Sequence, residues 1–403
     1  MRKIINELLS ILYTLLVGAL AGFIIWSFLK VMNIGIEFLW IYIPDKINLK
    51  YYTIIICLLG GILLGLWKWK FGDSPEELEV VIKKIKKDKR YSYKNIFSSI
   101  ISALLPLTMG ASIGPEAGLT GIIAGLCTWV GDKLKHFHKK VEELTSIGVT
   151  ATLGTIFKSP MFGFVEPLEG EETKLPKTSK IVLYFTAILG SFGVFILLNK
   201  LLGGGLGMPS LPQASFDNIN YLYVPLLILV GVLLGYIYFI SHKLIKIVFK
   251  PIKTNIFIKC IIGGLILGVI GTLLPLTMFS GEEQIVDVLE TGRNIGIVLL
   301  IVISITKIIL TNICIESGLK GGHFFPMIFS GIAFGYALSI LLNIDPVISM
   351  AVVTSSFLTN IMKKPIAVVL LLMIVFPSNL IPIMLVSSII SCIFKTPKIL
   401  EDK

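Results

Sequence analysis

Apolar stretches of membrane-crossing length recur along this chain, and no other feature constrains its fold as strongly. They run at about Ile5–Leu29, Tyr52–Trp67, Ile96–Thr108, Ile181–Leu202, Tyr221–Ile240, Ile256–Met278, Ile295–Ile315, Phe324–Leu342, Val347–Met362 and Ile366–Phe394. A helix crossing the bilayer core needs roughly 20 apolar residues, so several runs are full spans and several fall short. Charged residues make up 15% of the chain, below the roughly 25% of a soluble domain. The reading is an all-α polytopic membrane protein. The N-terminal run, MRKIINELLSILYTLLVG, lacks a small-residue cleavage site and continues past the length of a signal peptide's apolar region. It is read as a first helix entering from the cytoplasmic side.

Charge lies between the spans. The formal net charge is +11, and Lys68–Lys94 alone holds nine Lys or Arg against five Asp or Glu. Basic residues clustered in a loop between spans mark a cytoplasmic loop, not a nucleic-acid-binding face. Cys57, Cys127, Cys260, Cys314 and Cys392 each stand alone in apolar runs, without paired spacing, which assigns them to packing. His136 and His138 have a spacing that suits a metal, but they sit in a Lys-rich loop with no third ligand. No metal and no cofactor are expected.

The chain also repeats itself. ICLLGGILLG at Ile56–Gly65 matches KCIIGGLILG at Lys259–Gly268, an offset of 203, and VGALAGFIIW at Val17–Trp26 matches VGVLLGYIYF at Val230–Phe239, an offset of 213. FGDSPEELEVVI and FSGEEQIVDVL follow the first pair of spans. Lys94 stands 21 residues before Pro115, and Lys307 stands 19 before Pro326. FKSPMFGFVEPL around Pro160 matches MKKPIAVVLLLM around Pro365, an offset of 205. Residues 1–210 and 221–403 are therefore read as two transmembrane repeats, joined by the Gly-, Pro- and Ser-rich stretch Gly203–Asn220. Spacing alone does not decide whether the repeats are parallel or inverted. The Gly60–Gly61 and Gly263–Gly264 pairs are read as places where helices approach closely.

Four places break the apolar pattern with Gly, Pro or Ser just before a helical run: GDSP (Gly72–Pro75), GASIGPE (Gly110–Glu116), SGLKGGHFFP (Ser317–Pro326) and KTP (Lys395–Pro397). Proline is tolerated in a helix's first turn, and glycines let the backbone turn and present its amides. A helix N-terminus carries about half a positive charge and unpaired N–H donors, which suit an anion. Non-helical backbone at membrane depth survives only where it is buried in protein or lines a cavity. Several such termini converging predict anion passage. Glu116 is an ionisable group inside an apolar span, and such groups mark function by default. Its carboxylate competes with a permeating anion for the same amides. Protonated, it releases them.

Here the residues resemble the CLC family of chloride channels and proton-coupled chloride exchangers. The family's G(R/K)EGP motif falls on Gly114, Pro115, Glu116, Ala117 and Gly118, which makes Glu116 the gate. Its GxFxP motif matches Gly322, His323, Phe324, Phe325 and Pro326, where the family holds the central anion on the amides at His323 and Phe324. The resemblance covers essentially the whole chain. It implies an inverted-repeat bundle of tilted and interrupted helices, and a homodimer with one pore per subunit in the cell membrane. It implies chloride as the ion, proton coupling in the exchangers, and no cofactor. The family's GSGIP is represented by GDSP, so its serine falls on Gly72 without a gap or on Ser74 with one, and Ser74 is taken as the hydroxyl ligand. Asp73 beside an anion path is unusual. The pore tyrosine falls near Ile399, with no tyrosine there. The exchangers' inner proton glutamate falls on Gly170. Glu169, one residue before, is the candidate inner proton site, with Glu166 and Glu171 close by. The cytoplasmic regulatory domains of some members are not expected here. Rivals are a carrier of fluoride or a small organic anion using the same termini, and an intramembrane enzyme with Glu116 as general acid–base. For the latter the sequence offers neither HExxH nor GxSxG.

Overall fold

The computed structural model describes residues 2–47, 49–88, 90–133, 141–166, 169, 178–204, 209–214, 222–252 and 255–397. The earlier part of the chain forms α1 (Arg2–Glu37), α2 (Ile43–Lys46), α3 (Tyr52–Phe71), α4 (Leu78–Asp88), α5 (Ile96–Thr108), α6 (Glu116–Lys133), α7 (Val141–Ile156), α8 (Pro160–Val165) and α9 (Thr178–Leu202). The later part forms α10 (Tyr223–Phe249), α11 (Ile256–Leu273), α12 (Glu282–Ile295), α13 (Ile297–Glu316), α14 (Phe324–Leu342), α15 (Pro346–Met362), α16 (Pro365–Leu372) and α17 (Ile381–Ile393). Setting α2 aside, the two series correspond one to one, α1 with α10 and α3 through α9 with α11 through α17.

The relation between the series is inverted. The repeat-mates α3 and α11 pack against each other in antiparallel register: Gly65 lies against Phe257, Gly61 against Cys260 and Gly264, and Gly268 against Ile54 and Cys57. A Cβ added at Gly61 would stand 2.4 Å from the Cys260 carbonyl oxygen, and one at Gly264 would stand 2.4 Å from the Cys57 carbonyl oxygen. The same contact made twice, in opposite directions, is the mark of a two-fold axis lying between two equivalent helices.

Among the described residues, seven helical stretches are long and apolar enough to cross a membrane: Leu8–Lys46, Tyr52–Phe71, Ile181–Leu202, Tyr223–Ile252, Ile256–Leu273, Ile297–Glu316 and Phe324–Leu342. The first is longer than its apolar run, because α1 passes through a π-helical turn at Phe38–Tyr42 into α2. α14 and α15 form the centre and are buried along most of their length. Their contact uses small and hydroxylated residues: Ser349 donates to the Gly335 carbonyl at 2.7 Å, and Gly331 lies against Thr354. Apolar contact alone gives helices no preference for one another in lipid, so close backbone approach and such hydrogen bonds hold the centre. Leu, Ile and Val on α1, α3, α9, α10 and α17 face outward.

The run Ile366–Phe394, apolar throughout, is not one helix. α16 stops at Leu372, Pro377 enters, a 3₁₀ turn covers Ser378–Leu380, and α17 starts with Pro382 in its first turn. Proline cannot supply the helical N–H and clashes with the preceding turn. The broken backbone is met by the described part of the inter-repeat connection. There Leu211 N–H donates to the Val375 carbonyl at 2.8 Å, and Asn379 Nδ2 donates to the Ala214 carbonyl at 3.2 Å.

If the α3–α11 crossing sets the axis, Gly61→Leu drives a side chain into a backbone carbonyl that cannot yield. The expected loss is about 3 kcal/mol, the upper end for overpacking, read as a lowered unfolding temperature in detergent. Gly193→Ala in α9, where an added Cβ meets nothing within 4 Å, is expected to leave that temperature nearly unchanged.

Candidate functional site

The N-termini of α6 and α14 meet near the centre of the bundle. Just before them, Gly114 and Gly322 form a two-residue antiparallel bridge: Gly114 N–H donates to Gly322 O at 2.7 Å, and Gly322 N–H to Gly114 O at 2.8 Å. The hydroxyls of Ser112 and Thr311 are bonded at 3.1 Å beside it. This bridge sets the true register of the repeats at the site. Gly114 answers to Gly322, so Glu116 answers to Phe324, and Pro115 to His323. The two prolines are not equivalent: Pro115 precedes its helix, while Pro326 is the third residue of α14.

Glu116, the first residue of α6, is fully buried. Its Oε1 accepts from the Phe324 amide at 2.9 Å, and the Phe325 amide and its own amide lie within electrostatic reach of the carboxylate. Oε2 has no hydrogen-bond partner. The carboxyl group folds back over both glycines of the bridge. A Cβ at Gly114 would lie 2.0 Å from Oε2, and one at Gly322 would lie 1.8 Å from Cδ. The carboxylate therefore occupies space that exists only because both residues are glycine. Chemically it is a tethered anion seated on the amides of the opposing helix, where the helix dipole favours negative charge. Among the described residues no ion pair reaches it.

Aromatic rings from both series close the site. Phe157, at the end of α7, stacks on Phe325 at 5.1 Å, meets Phe324 edge-on at 5.7 Å and meets Phe162 of α8 at 5.0 Å. Sequence reasoning finds Phe324 and Phe325 by motif and misses Phe157, whose only signal is its place in FKSP.

A family model described as "Voltage gated chloride channel" matches residues 60–396. The chain belongs to the voltage gated chloride channel family. It is 23% identical over 352 residues to the chloride channel protein CLC-f of Arabidopsis thaliana, which covers 79% of this chain. The chain spans 43% of that relative's length. Among solved structures, a CLC-type fluoride/proton antiporter is similar with a TM-score of 0.78 at 20% identity, covering 96% of this chain and 95% of that one. A slow cyanobacterial Cl⁻/H⁺ antiporter is similar with a TM-score of 0.77 at 19% identity, covering 95% and 93%. These two likenesses carry the fold.

Against the pattern of the voltage gated chloride channel family, the remaining candidate positions divide. The Ser74 hydroxyl is buried without a hydrogen-bond partner. It lines a cavity of about 420 Å³ with Asp73, Glu76 and Tyr91, and none of the lining residues of that cavity comes from α14. Asp73 is held by two cations: Lys68 Nζ donates to Oδ1 at 2.8 Å and Lys320 Nζ to Oδ2 at 2.7 Å. Burial by itself raises the carboxyl's pKa, but the two ammonium groups overcome this and hold it below the usual carboxylate value. The buried Lys68 also donates to the Gly318 carbonyl at 2.7 Å, tying α3 to the loop that carries the GxFxP residues.

Glu169, expected as the inner proton site, lies against the start of α16. Its Oε1 accepts from the Ile366 amide at 2.8 Å and its Oε2 from the Ala367 amide at 2.6 Å, so it caps the N-terminus of α16. Glu166 is the buried acid of that segment, and Lys364 donates to its Oε1 at 2.7 Å and to its carbonyl at 2.8 Å. Glu166, Lys364 and Phe324 share a cavity of about 290 Å³ with Glu79 and Lys83 of α4. His136, His138, Gly170, Glu171 and Ile399 lie outside the described residues.

The matched spacing of Lys94 and Lys307 does not give matched roles. Lys94 is exposed ahead of α5. Lys307 is buried and donates to the carbonyls of Thr277, Met278 and Phe279 at 3.1, 2.9 and 3.1 Å. That turn is joined to GASIGPE through the Phe279 amide and the Gly110 carbonyl. Just beyond it Glu282, the first residue of α12, is buried within electrostatic reach of Glu116 and Lys158. The sequence offers FSGEEQ as the mate of GDSPEE but nothing that singles Glu282 out.

Lys364→Met strands the Glu166 carboxylate in a buried setting. A loss of roughly 3 kcal/mol is expected, the low end for breaking a buried pair because Lys364 is partly exposed. The double variant Lys364→Met/Glu166→Gln is expected to recover most of it. Thermal unfolding of the four proteins in one detergent gives the cycle.

Proposed function

We propose that the chain carries chloride or a related small anion across the membrane, through a path that passes between the N-termini of α6 and α14, with Glu116 as its gate. It works as a channel or as an H⁺/Cl⁻ antiporter. The observation that carries the reading is the Glu116 carboxylate on the Phe324 amide, over two glycines that leave room for it. A carboxylate that fits there supports a small anion in its place, one that accepts from backbone amides and needs no fixed cation. The amides near His323 and Phe324, with the Gly114–Pro115–Glu116 turn, form the seat. Gly322, Phe325 and Pro326 shape it. Ser74, in its own cavity with Asp73, is the hydroxyl on the approach.

The lysines support the reading from outside the seat. Lys83 and Lys86 of α4, with Lys364, line the cavity that reaches Phe324. Glu79 and Glu166 share that wall, so the lysines exceed the carboxylates three to two, and an excess of positive charge in a low-dielectric wall concentrates anions at the entrance. We read this as the cytoplasmic face, with the N-terminus on the same side and the protein in the cell membrane as a homodimer, one path per subunit. Residues 1–210 and 221–403 are the two repeats. Transport here involves no resident cofactor and no covalent step.

The pH dependence follows from the competition. When Glu116 is ionised it holds the amides against the permeating anion, and when protonated it is attracted to them far less. Anion flux is therefore expected to rise as pH falls. Removing the carboxylate removes the dependence. In proteoliposomes, Glu116→Ala is expected to retain anion flux, flatten its pH profile and lose proton movement. Proton coupling as in the wild type would show that Glu116 is not the gate, and fast fluoride flux with no chloride flux would change the ion.

A further inference from the structure

We propose that His323 is the proton-transfer group on the α4 side of the anion seat, with His242 and Glu79 as its next partners toward water. The proposal rests on the transport reading above and names a further residue for the proton route, in addition to Glu169. His323 stands between two residues that touch the Glu116 carboxyl: Gly322, whose missing side chain leaves the space for it, and Phe324, whose amide binds it. Its Nε2 is buried and has no hydrogen-bond partner. The ring lines a cavity of about 310 Å³, whose wall also holds Glu77, Glu79, Lys83, Tyr238 and His242.

The cavity has a sequence of groups along it. Tyr238 of α10 lies 5.6 Å from the His323 ring and stacks on His242 at 6.3 Å with the planes 10° apart. His242 Nε2 is 3.9 Å from Glu316 Oε1. The charges facing His323 come from α4 and α10. Burial disfavours the imidazolium most strongly, Glu79 favours it, and protonated His242 opposes it. Lys83 on the wall opposes it too, and Glu77 sits within reach of His242. A ring nitrogen of imidazole accepts a proton in the neutral form and donates it in the imidazolium form, so Nε2 can take a proton and return it. The other buried acids are placed differently. Glu166 is bound to Lys364, and Glu282 belongs to α12, the inverted mate of α4, so it reaches Glu116 from the opposite side.

The step is a simple transfer. A proton from the α4 side adds to Nε2 and makes the imidazolium. When the Glu116 carboxylate lifts from Gly322, that proton passes to it, directly or over water in the cavity. The carboxylate becomes a carboxylic acid and the imidazole is neutral again.

The test uses the full chain in chloride-loaded proteoliposomes, with chloride efflux and proton uptake recorded together from pH 5 to 8, the window in which histidine titrates. In His323→Asn the proton uptake per chloride released is expected to fall about tenfold or more. Imidazole added to the buffer is expected to restore part of that uptake, which a packing role would not allow. His242→Gln, at the far end of the cavity, is expected to shift the pH profile of proton uptake, and it carries the test if His323→Asn does not fold. An unchanged proton-to-chloride ratio in His323→Asn overturns the proposal, as does an unchanged profile in His242→Gln. Wild-type chloride flux without proton movement overturns the proposal and leaves the transport reading standing. Absence of any anion flux overturns both.

Discussion

The Glu116 carboxylate accepts a hydrogen bond from the first amide of α14, and the rest of the architecture is arranged to make that contact possible. Two helix N-termini facing each other bring together partial positive charges and unpaired donors. In a low-dielectric interior that meeting is unfavourable without negative charge between them. Glu116 supplies it from one helix, and its own attachment point is part of the same seat. The bridge between Gly114 and Gly322 brings the termini close enough for one carboxylate to serve both.

The inverted repeat is what aims the termini at each other. Had the second series run parallel to the first, α6 and α14 would point the same way. The antiparallel crossing of α3 on α11 fixes the axis, and four glycines let the backbones approach. Departures from the symmetry carry the chemistry: Phe324 stands where Glu116 stands in the other series, and Lys307 has no buried counterpart at Lys94. A symmetric scaffold presents the amides twice, and a single asymmetric residue fills the space between them.

Broken helices leave backbone groups that lipid cannot satisfy, and this chain meets several of them with charged side chains. Carboxylates take the amides at helix starts: Glu116 at α14, Glu169 at α16 and Asp345 at its own α15. Lysines take the carbonyls at helix ends and turns: Lys68 at Gly318, Lys307 at the 277–279 turn and Lys364 at Glu166. The buried ionisable groups are thus largely explained by the interruptions. Glu116 and His323, each with a side-chain atom that lacks a hydrogen-bond partner, border the seat and its cavity, and Glu166 Oε2 is unpaired as well.

Much of this was legible in the residues. Apolar run lengths specify membrane helices because hydrocarbon solvates only apolar side chains. Paired GG motifs specify close crossings because only glycine removes the Cβ. A Gly- and Pro-flanked glutamate in an apolar span marks a site because an ionised carboxylate there needs donors. These are local rules, and each can be read from one stretch of chain. The register of Gly114 on Gly322, the antiparallel sense of α3 and α11, the burial of Lys307 but not Lys94, and the capping of α16 by Glu169 were decided only by tertiary structure. Each depends on which partner, about 30 to 210 residues away, fills the space around a group, and spacing within one stretch carries no record of that partner.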